Sequence, residues 1–396
     1  MLKNSPMLKR PLGARGLGTG RGKNIIVRAG CKTNAEMGES CGFGCNTMLR
    51  KEMLKKADHL TKRLTDYQVL KGKYAQMSEA ELTHLCSVMP DVLMEDAIVM
   101  DINVASPLYI VGDIYGQFGD LLRIFMLLGY PPENRYLFLG NYINRGTRSI
   151  ETLAFLYALK LRYPRHIFLL RGNHECQHIS RHYGFFDECV KRYNRRLWRA
   201  FVSTFDYLPL IAIIEEKIFC CHSGMSPSVQ FSGVSSLQEF RDYVAKLTPR
   251  PTEINTSILM THYTWSEPDP EVKEWEQNPA GLAYLYGPSV VKSFCDRLGI
   301  QQIIRSNELL EKGYEFFCDD KLLTIFSVPN FLGTFTNDGA IAEVSKDPEA
   351  LELICRIKLV KPIMQLRNKM TGRMNIAIQD SLDGKNEEEE EGLGDL

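Results

Sequence analysis

The sequence predicts an α/β fold, because short apolar runs alternate with amphipathic stretches along most of its length. Hydrophobic residues make up 44% of the 396 residues, which is enough for a sizeable core. Several of the apolar runs end directly in polar loops that contain glycine. In an α/β sheet, such loops lie beyond the carboxyl ends of the strands, where binding and catalytic groups are usually found.

Buried strands are expected wherever a short run of Ile, Leu, Phe and Val is bounded by polar residues. Such runs cover residues 108–111, 136–139, 167–170, 218–221, 302–304 and 322–326. Apolar residues at helical spacing predict helices over residues 121–128, 149–160 and 188–201. Another helix should begin at Ser78, because Ser78 and Glu81 form the capping-box pattern of a helix N-terminus.

The two ends of the chain differ in composition from the middle. Residues 1–50 are rich in glycine and basic charge, and they have too little apolar surface to offset the entropy cost of ordering. Residues 363–396 are polar and include the glutamate run 387–391. We therefore predict a disordered basic extension over 1–50, one folded domain over 51–362 and a disordered acidic tail over 363–396.

The overall charge argues against some classes of protein. The 48 Lys and Arg residues are balanced by 48 Asp and Glu residues, which is atypical of a chain built for nucleic acid or an anionic membrane surface. No apolar stretch approaches the roughly 18 residues of a membrane helix, so no membrane partner is expected. The basic extension leaves a nucleic-acid adaptor as a third hypothesis, but we favour a solvated tail and do not expect nucleic acid as a partner.

The cysteines indicate a reducing compartment. Their number, 11, is odd and they follow no regular framework, as is typical of free thiols in the cytoplasm or nucleus. Cys31, Cys41 and Cys45 suggest zinc, but no fourth ligand stands at finger spacing. We favour free thiols at these three positions.

Four loops that follow predicted strands carry the candidate chemistry. They cover residues 112–116, 140–146, 171–175 and 221–227. Each combines glycine with polar side chains, chiefly Asp, Asn, His and Arg. One such loop is common, but four at a single sheet edge suggest a site for metal or phosphate.

The stretches LLRGNHEC at 169–176, YGFFDEC at 183–189 and GYEFF at 313–317 are highly specific. Through them, the chain from about residue 65 to 362 closely resembles the PPP family of serine/threonine phosphatases, within it the protein phosphatase 1 type. The resemblance implies a metallophosphatase-type central β-sandwich flanked by helices. It also implies a site with two divalent metals of the manganese, iron or zinc type, which activate a water for in-line attack on phosphorus.

The positions that match the family's metal ligands are only half retained. Asp113, Asn173 and His222 match the family, whereas Tyr115 and Asn307 replace histidines and Asn141 replaces the aspartate that bridges both metals. One carboxylate therefore remains of two, and neither a neutral amide nor a phenol with a pKa of about 10 is a good substitute ligand. We expect that no metal is bound tightly, and that two metals are held only if the chain is active.

The positions that match the family's acid and phosphate-binding groups are altered as well. His174 matches the proton donor to the leaving group, but its orienting aspartate is replaced by Asn144. Arg145 matches one phosphate-binding arginine, whereas Ala280 stands in place of the second. Phe331 lacks the hydroxyl of the family's tyrosine.

The protein phosphatase 1 type binds regulators through a hydrophobic groove that accepts short Val-x-Phe segments by strand addition. The matching positions here are Ile218, Gln302, Phe316, Leu353, Cys355 and Ile357. Gln302 replaces a leucine and Ile357 a phenylalanine, so the resemblance implies a weakened or retuned groove. An equally weighted interpretation is that these residues only pack the sandwich.

Two functional hypotheses follow from the resemblance. The first is a pseudophosphatase that binds phosphatase 1-type regulatory proteins or phosphoproteins without efficient turnover. The second is a weak phosphoserine/phosphothreonine phosphatase with one metal held by Asp113, Asn173 and His222. We favour the first, and metal content distinguishes the two.

Overall fold

The computed structural model describes residues 25–27, 47–350, 352–362, 365–367 and 374–376, with side chains described over residues 51–350 and 352–362. Its strands are short, and most of those in the centre are fully buried. In chain order they are β1 Ile25–Val27, β2 Val99–Ile102, β3 Leu108–Val111, β4 Arg135–Phe138, β5 Ile167–Leu169, β6 Ile211–Ile214, β7 Ile218–Cys221, β8 Glu267–Pro268, β9 Trp275–Gln277, β10 Tyr284–Tyr286, β11 Gln302–Arg305, β12 Tyr314–Phe317, β13 Leu322–Ile325, β14 Gly339–Lys346, β15 Leu353–Val360, β16 Gln365–Arg367 and β17 Met374–Ile376.

The α-helices lie mostly between the strands in the sequence. In chain order they are α1 Thr47–Leu64, α2 Tyr67–Leu70, α3 Glu79–Met94, α4 Phe118–Leu128, α5 Ser149–Arg162, α6 Gln177–His182, α7 Phe185–Arg192, α8 Arg195–Phe205, α9 Pro227–Gln230, α10 Leu237–Leu247, α11 Ile258–Trp265 and α12 Pro288–Leu298.

Two six-stranded sheets form the centre of the molecule. The first has the order β1-β15-β14-β3-β4-β5 and the second has the order β12-β13-β11-β7-β6-β2. Apolar side chains from both sheets, including Ile110 and Leu137 from the first and Cys220 and Ile304 from the second, fill one common layer between them. This layer makes the two sheets a β-sandwich, because each sheet buries one face against the other.

Helices cover the outer face of each sheet. Leu85 of α3 and Leu153 of α5 belong to the cluster that also contains Val111 and Phe138 of the first sheet. Phe240 of α10 and Phe294 of α12 pack in a second cluster. The predicted α/β fold, with a central β-sandwich flanked by helices, is therefore confirmed.

The predicted strands and helices agree with the structure, with one break. The predicted helix 188–201 is two helices, because Asn194 caps α8: its side chain accepts hydrogen bonds from the backbone N–H of Arg196 at 2.9 Å and of Leu197 at 3.1 Å. The capping box is present as predicted, since Ser78 Oγ accepts from Glu81 N at 3.2 Å and Glu81 Oε2 accepts from Ser78 N at 2.9 Å.

The ends of the chain contain short ordered elements that the sequence did not predict. Strand β1 joins the first sheet, and β16 and β17 pair antiparallel as a separate hairpin. The predicted disorder of the two ends and the domain boundaries stay predictions. Cys31, Cys41 and Cys45 lie outside the described residues. Among the described helices, none combines the length and the apolar character needed to cross a membrane.

The direction of the strands brings the candidate loops together. Strands β3, β4 and β5 are parallel neighbours in the first sheet, and β7 and β11 are parallel neighbours in the second. Their carboxyl ends therefore lead into loops at one edge of each sheet. Hydrogen bonds between the two sets of loops, given below, show that these edges meet.

Candidate functional site

The six positions that match metal ligands lie in loops that follow strands of both sheets. Asp113, Tyr115, Asn141 and Asn173 follow strands of the first sheet, and His222 and Asn307 follow strands of the second. All six side chains are buried. Their assembly is a finding of the structure, whereas their role as ligands stays a prediction.

The loop backbone at three of these positions is left-handed. Tyr115, Asn141 and Asn307 have φ values of 49°, 57° and 68°, and Asn144 and Arg145 nearby have values of 71° and 62°. Asparagine is among the non-glycine residues that tolerate this conformation best. Asparagine at positions 141, 144 and 307 therefore suits the left-handed backbone found there.

Asn141 stands in the centre of the site and acts as a donor. Its Oδ1 accepts a hydrogen bond from the backbone N–H of His174 at 3.1 Å, which fixes the orientation of the amide. Its Nδ2 therefore points at Asp113 Oδ2, 3.2 Å away, and at the hydroxyl of Tyr115, 2.9 Å away. An amide N–H₂ has no lone pair to offer a cation, so this atom cannot bridge two metals.

Asn307 links the loops of the two sheets. Its Nδ2 donates to Ser223 Oγ at 3.1 Å, and its Oδ1 accepts from Asn173 Nδ2 at 3.0 Å. The Ser223 hydroxyl itself donates to the carbonyl of Ser266 at 2.7 Å, which supports this orientation. An amide–amide hydrogen bond thus joins positions that match two metal ligands.

Tyr115 closes the other side of the site. Burial, together with the nearby Asp113 carboxylate, raises the pKa of its phenol well above the ordinary value, so the hydroxyl stays protonated. Its ring packs edge-on against His174, with 5.0 Å between the ring centroids, and lies 5.2 Å from the ring of Phe331. Phe331 is buried and supports Tyr115 by ring contact.

Asn144 orients His174. Its Oδ1 accepts from the backbone N–H of Phe185 at 3.1 Å, so its Nδ2 is the atom that faces Nδ1 of His174, 2.8 Å away. The His174 Nδ1 must therefore accept, which places the single ring proton on Nε2. Burial, and then the positive charge of Arg145, lowers the pKa of His174 well below its ordinary value. A neutral imidazole in this state is a poor proton donor to a leaving alkoxide.

Arg145 and Ala280 differ in how the structure places them. The guanidinium of Arg145 lies over the ring of Tyr183, 4.3 Å from its centroid, and is partly exposed. Ala280 is exposed in the connection between β9 and β10. Its methyl group cannot bind a phosphate oxygen.

Glu175 is a residue of the site to which the sequence analysis gave no role. Its carboxylate is buried and accepts from the backbone N–H of Asn141 at 2.7 Å, of Tyr142 at 2.9 Å and of Gly172 at 3.1 Å. Burial raises its pKa to about 7 despite these hydrogen bonds. Glu175 holds two of the loops together, and its place in the Gly-Asn-His-Glu motif was the available signal.

These side chains do not fit a pair of dications. A dinuclear centre needs a bridging oxygen ligand, and here Asn141 presents amide hydrogens to the neighbouring oxygens. Asp113 is the one carboxylate among the six positions. Within the part of the chain that the structure describes, no group of three or more His, Cys, Asp and Glu side chains could hold a metal.

Two atoms in the site still resemble ligands for a single cation. Asn173 Oδ1 is buried and has no hydrogen-bond partner among the described residues. His222 Nδ1 lies 2.8 Å from the carbonyl oxygen of Leu139, to which it must donate, and burial lowers the pKa of the ring. The neutral ring therefore keeps its lone pair on Nε2, the form in which histidine binds metals, but Nε2 lies 3.3 Å from Asn307 Oδ1, a contact that a cation would have to displace.

The six groove positions lie at one end of the sandwich. Ile218, Leu353 and Cys355 are buried in the layer between the sheets, with Phe316 and Ile357 partly buried beside them. Gln302 is 1% exposed; its Nε2 donates to the carbonyl of Asp320 at 3.2 Å, and its Oε1 has no partner among the described residues. The three buried apolar side chains pack the sandwich, Phe316 and Ile357 are partly buried, and use of the groove stays a prediction.

The comparisons with known proteins agree with the fold. The family model for calcineurin-like phosphoesterases matches residues 106–306, just over half of the chain. The chain therefore belongs to the calcineurin-like phosphoesterase family, whose members normally use divalent metals. Its resemblance to the PPP-family serine/threonine phosphatases is confirmed at this level.

Two solved structures illustrate the similarity. A protein serine/threonine phosphatase from Saccharomyces cerevisiae, with similarity to human phosphatase PP5, is similar at a TM-score of 0.68 and 25% identity, over 78% of this chain and 97% of that chain. A cold-active protein-tyrosine phosphatase of a psychrophilic Shewanella species has a TM-score of 0.46 and 14% identity, over 65% of this chain and 83% of that chain.

Proposed function

We propose that this chain is a pseudophosphatase of the protein phosphatase 1 type, which binds regulatory proteins or phosphoproteins without efficient turnover. The observation that carries the proposal is the Asn141 amide, which donates to Asp113 and Tyr115 where a bridging carboxylate is needed. Loss of the bridge removes the metal-bound water on which this chemistry depends.

The state of His174 supports the same proposal. Departure of an alkoxide requires a proton from an acid of suitable pKa, and His174 is held neutral with its Nδ1 facing an amide donor. In a serine-protease triad, the corresponding replacement of an orienting aspartate by asparagine costs about 10⁴ in turnover. Loss of both the metal bridge and the acid therefore leaves binding as the remaining function.

The partners follow from what the chain retains. Arg145, with the Nε2–H of His174, offers donors to a phosphorylated side chain. Phe316 and Ile357 offer partly buried apolar surface to a regulatory protein.

We propose that the chain acts in the cytoplasm or nucleus. The eight cysteines that the structure describes are free thiols, as expected there.

The first experiment is hydrolysis of a phosphoserine peptide by the purified full chain with added manganese. His174→Ala is the matched control, because it removes the one residue that matches the proton donor. We expect equal, background-level rates in both proteins. Turnover in the unaltered chain that disappears in His174→Ala would overturn the proposal.

A weak phosphatase with one metal is the second candidate, because Asn173 Oδ1 has no partner among the described residues and a cation could replace Asn307 Oδ1 beside Nε2 of His222. Metal analysis of the purified chain separates the two candidates. The pseudophosphatase contains far less than one equivalent of bound metal, whereas the weak phosphatase contains about one and loses its activity with a chelator.

A further inference from the structure

The outer strand of the first sheet is a segment of the N-terminal extension. Strand β1 pairs antiparallel with the start of β15, with Ile25 opposite Cys355, Ile26 opposite Ile354 and Val27 opposite Leu353. The other neighbour of β15 is β14. Without β1, the start of β15 would be a sheet edge with unpaired backbone N–H and C=O groups.

We propose that residues 25–27 occupy, within the same chain, the edge to which a partner strand would add, so that the N-terminal extension controls access to it. The inference rests on the proposed function, since it concerns the partner-binding surface. It deepens that proposal by naming the occupant of the surface when no partner is bound.

The register favours this site for strand addition. Leu353 and Cys355 are buried, at 1% and 3% exposure, whereas Ile354 between them is half-buried. Residues directly opposite in an antiparallel pair share a face of the sheet, so residues 25 and 27 belong to the face of Leu353 and Cys355. Main-chain pairing supplies affinity in this mode of recognition, and alternate residues supply specificity.

The composition of the segment agrees with its position. Ile25, Ile26 and Val27 are consecutive β-branched residues in an extension otherwise rich in glycine and basic charge. In the sequence, Arg28 follows Val27 and Glu352 precedes Leu353. The residues that flank the two paired segments in the sequence therefore carry opposite charges.

The tether makes a short strand an effective competitor. Residues 28–46 connect β1 to α1, and a chain of this length spans at most on the order of 60 Å. Covalent connection makes the pairing of β1 with β15 intramolecular, and tethering within one chain typically gives an effective concentration of about millimolar. A partner strand must compete with that concentration. Its apparent affinity is therefore the intrinsic affinity multiplied by the fraction of molecules in which the edge of β15 is open.

A pair of full-length double variants tests the proposal. In a strand, consecutive backbone N–H groups point to opposite sides, so one of residues 25 and 26 directs its N–H at β15. The double variant Ile25→Pro with Ile26→Pro removes that donor whichever of the two residues carries it. Gly16→Pro with Leu17→Pro is the matched control elsewhere in the extension. Amide hydrogen exchange is followed over Leu353–Cys355, with the central strand β4 as an internal standard.

We expect exchange at the outward-facing amides of Leu353–Cys355 to accelerate at least tenfold in the first variant only, with β4 unchanged. A synthetic peptide of residues 20–30 should restore their protection in that variant. Equal exchange in all three proteins would overturn the pairing, and failure of the peptide to restore protection would overturn the edge as a docking surface.

This outcome is independent of the hydrolysis test. A chain that turns over phosphoserine peptide and also shows the exchange change would refute the pseudophosphatase and leave the inference standing. A chain without turnover and without the exchange change would do the opposite.

Discussion

The side-chain amide of Asn141 donates a hydrogen bond to Asp113, with 3.2 Å between Nδ2 and Oδ2. Both groups are fully buried, at 0% exposure. A buried carboxylate is costly unless hydrogen-bonded, and Asn141 supplies a hydrogen-bond donor at the centre of the site. The amide thus takes over part of the stabilising role that a cation has in a metal centre.

Asn141→Asp should therefore destabilise the chain in the absence of metal. Two buried carboxylates in contact repel, and one must become protonated or remain unpaired. We expect a loss of about 2–4 kcal/mol in the free energy of unfolding at pH 7, measured by denaturant titration. Asn194→Asp is the control, because Asp caps a helix as well as Asn and should change little. Equal stability of the two variants would contradict the role assigned to Asn141.

Removal of metal should not affect the unaltered chain. The amide hydrogen bonds among Asn141, Asn173 and Asn307 hold the loops together without a cation. We expect the unfolding temperature to be the same, within about 1 °C, in EDTA and in millimolar manganese. A free manganese concentration of 100 times the Kd would add about 2.7 kcal/mol to the free energy of unfolding. A rise of several degrees in the unfolding temperature with manganese would therefore indicate a metal site.

The proton of His174 should be found on Nε2. Because the Asn144 amide donates to Nδ1, ¹⁵N NMR of the imidazole at pH 7 should show an unprotonated Nδ1 and a protonated Nε2. In Asn144→Asp the new carboxylate accepts instead, and Nδ1 should become protonated. A protonated Nδ1 in the unaltered chain would show that the amide is oriented the other way.

Gln302→Leu should stabilise the protein. The substitution removes a buried Oε1 that has no partner among the described residues, and it loses one hydrogen bond to the partly exposed carbonyl of Asp320. We expect a gain of about 1 kcal/mol in the free energy of unfolding, because an unsatisfied buried acceptor costs 1–3 kcal/mol. The exposed Gln238→Leu should change it by less than about 0.5 kcal/mol. A loss of stability in Gln302→Leu would mean that Oε1 is satisfied in solution.

Glu188 should make stability depend on pH. Burial raises its pKa from 4.5 to about 7, although its carboxylate accepts from the backbone N–H of Ser149 at 2.8 Å. Between these values the folded chain holds more protons than the unfolded chain, so the stability due to this group falls as the pH rises through that window and is constant above it.

Denaturant titration of Glu188→Gln at several pH values tests this linkage. The change in unfolding free energy between pH 4.5 and 7 should differ from that of the unaltered chain by on the order of 2 kcal/mol. The exposed Glu274→Gln serves as the control and should leave the pH profile unchanged. Parallel profiles for Glu188→Gln and the unaltered chain would place the titration elsewhere.

The elements that the sequence predicted well are those with a simple apolar signal. Strands β3, β5 and β7 are continuous apolar runs, as is β4 after its first residue, Arg135, and tertiary information is not needed to identify them. Strand β14 was missed because Gly339–Lys346 mixes Gly, Ala, Ser, Glu and Lys with its apolar residues. Its assignment depends on pairing with β3 and β15, which a single sequence does not reveal.

The sequence predicted which positions form the site, but it did not predict the hydrogen bonds between them. Motif spacing placed Asn141 and Asn144 in the correct loop, but the direction of each amide is fixed by the backbone N–H groups of His174 and Phe185. Those contacts join residues more than 30 positions apart. The buried hydrogen bonds of Glu175 depend on tertiary structure in the same way.

The left-handed backbone at Asn141, Asn144 and Asn307 has a consequence for protein engineering. Aspartate also tolerates this conformation well, and histidine is enriched in it as well. Replacing these asparagines by aspartate or histidine therefore changes the side-chain chemistry without requiring a change in the loop backbone. The backbone of these loops already suits metal-ligating residues, so a dication site could be engineered here by side-chain substitutions alone.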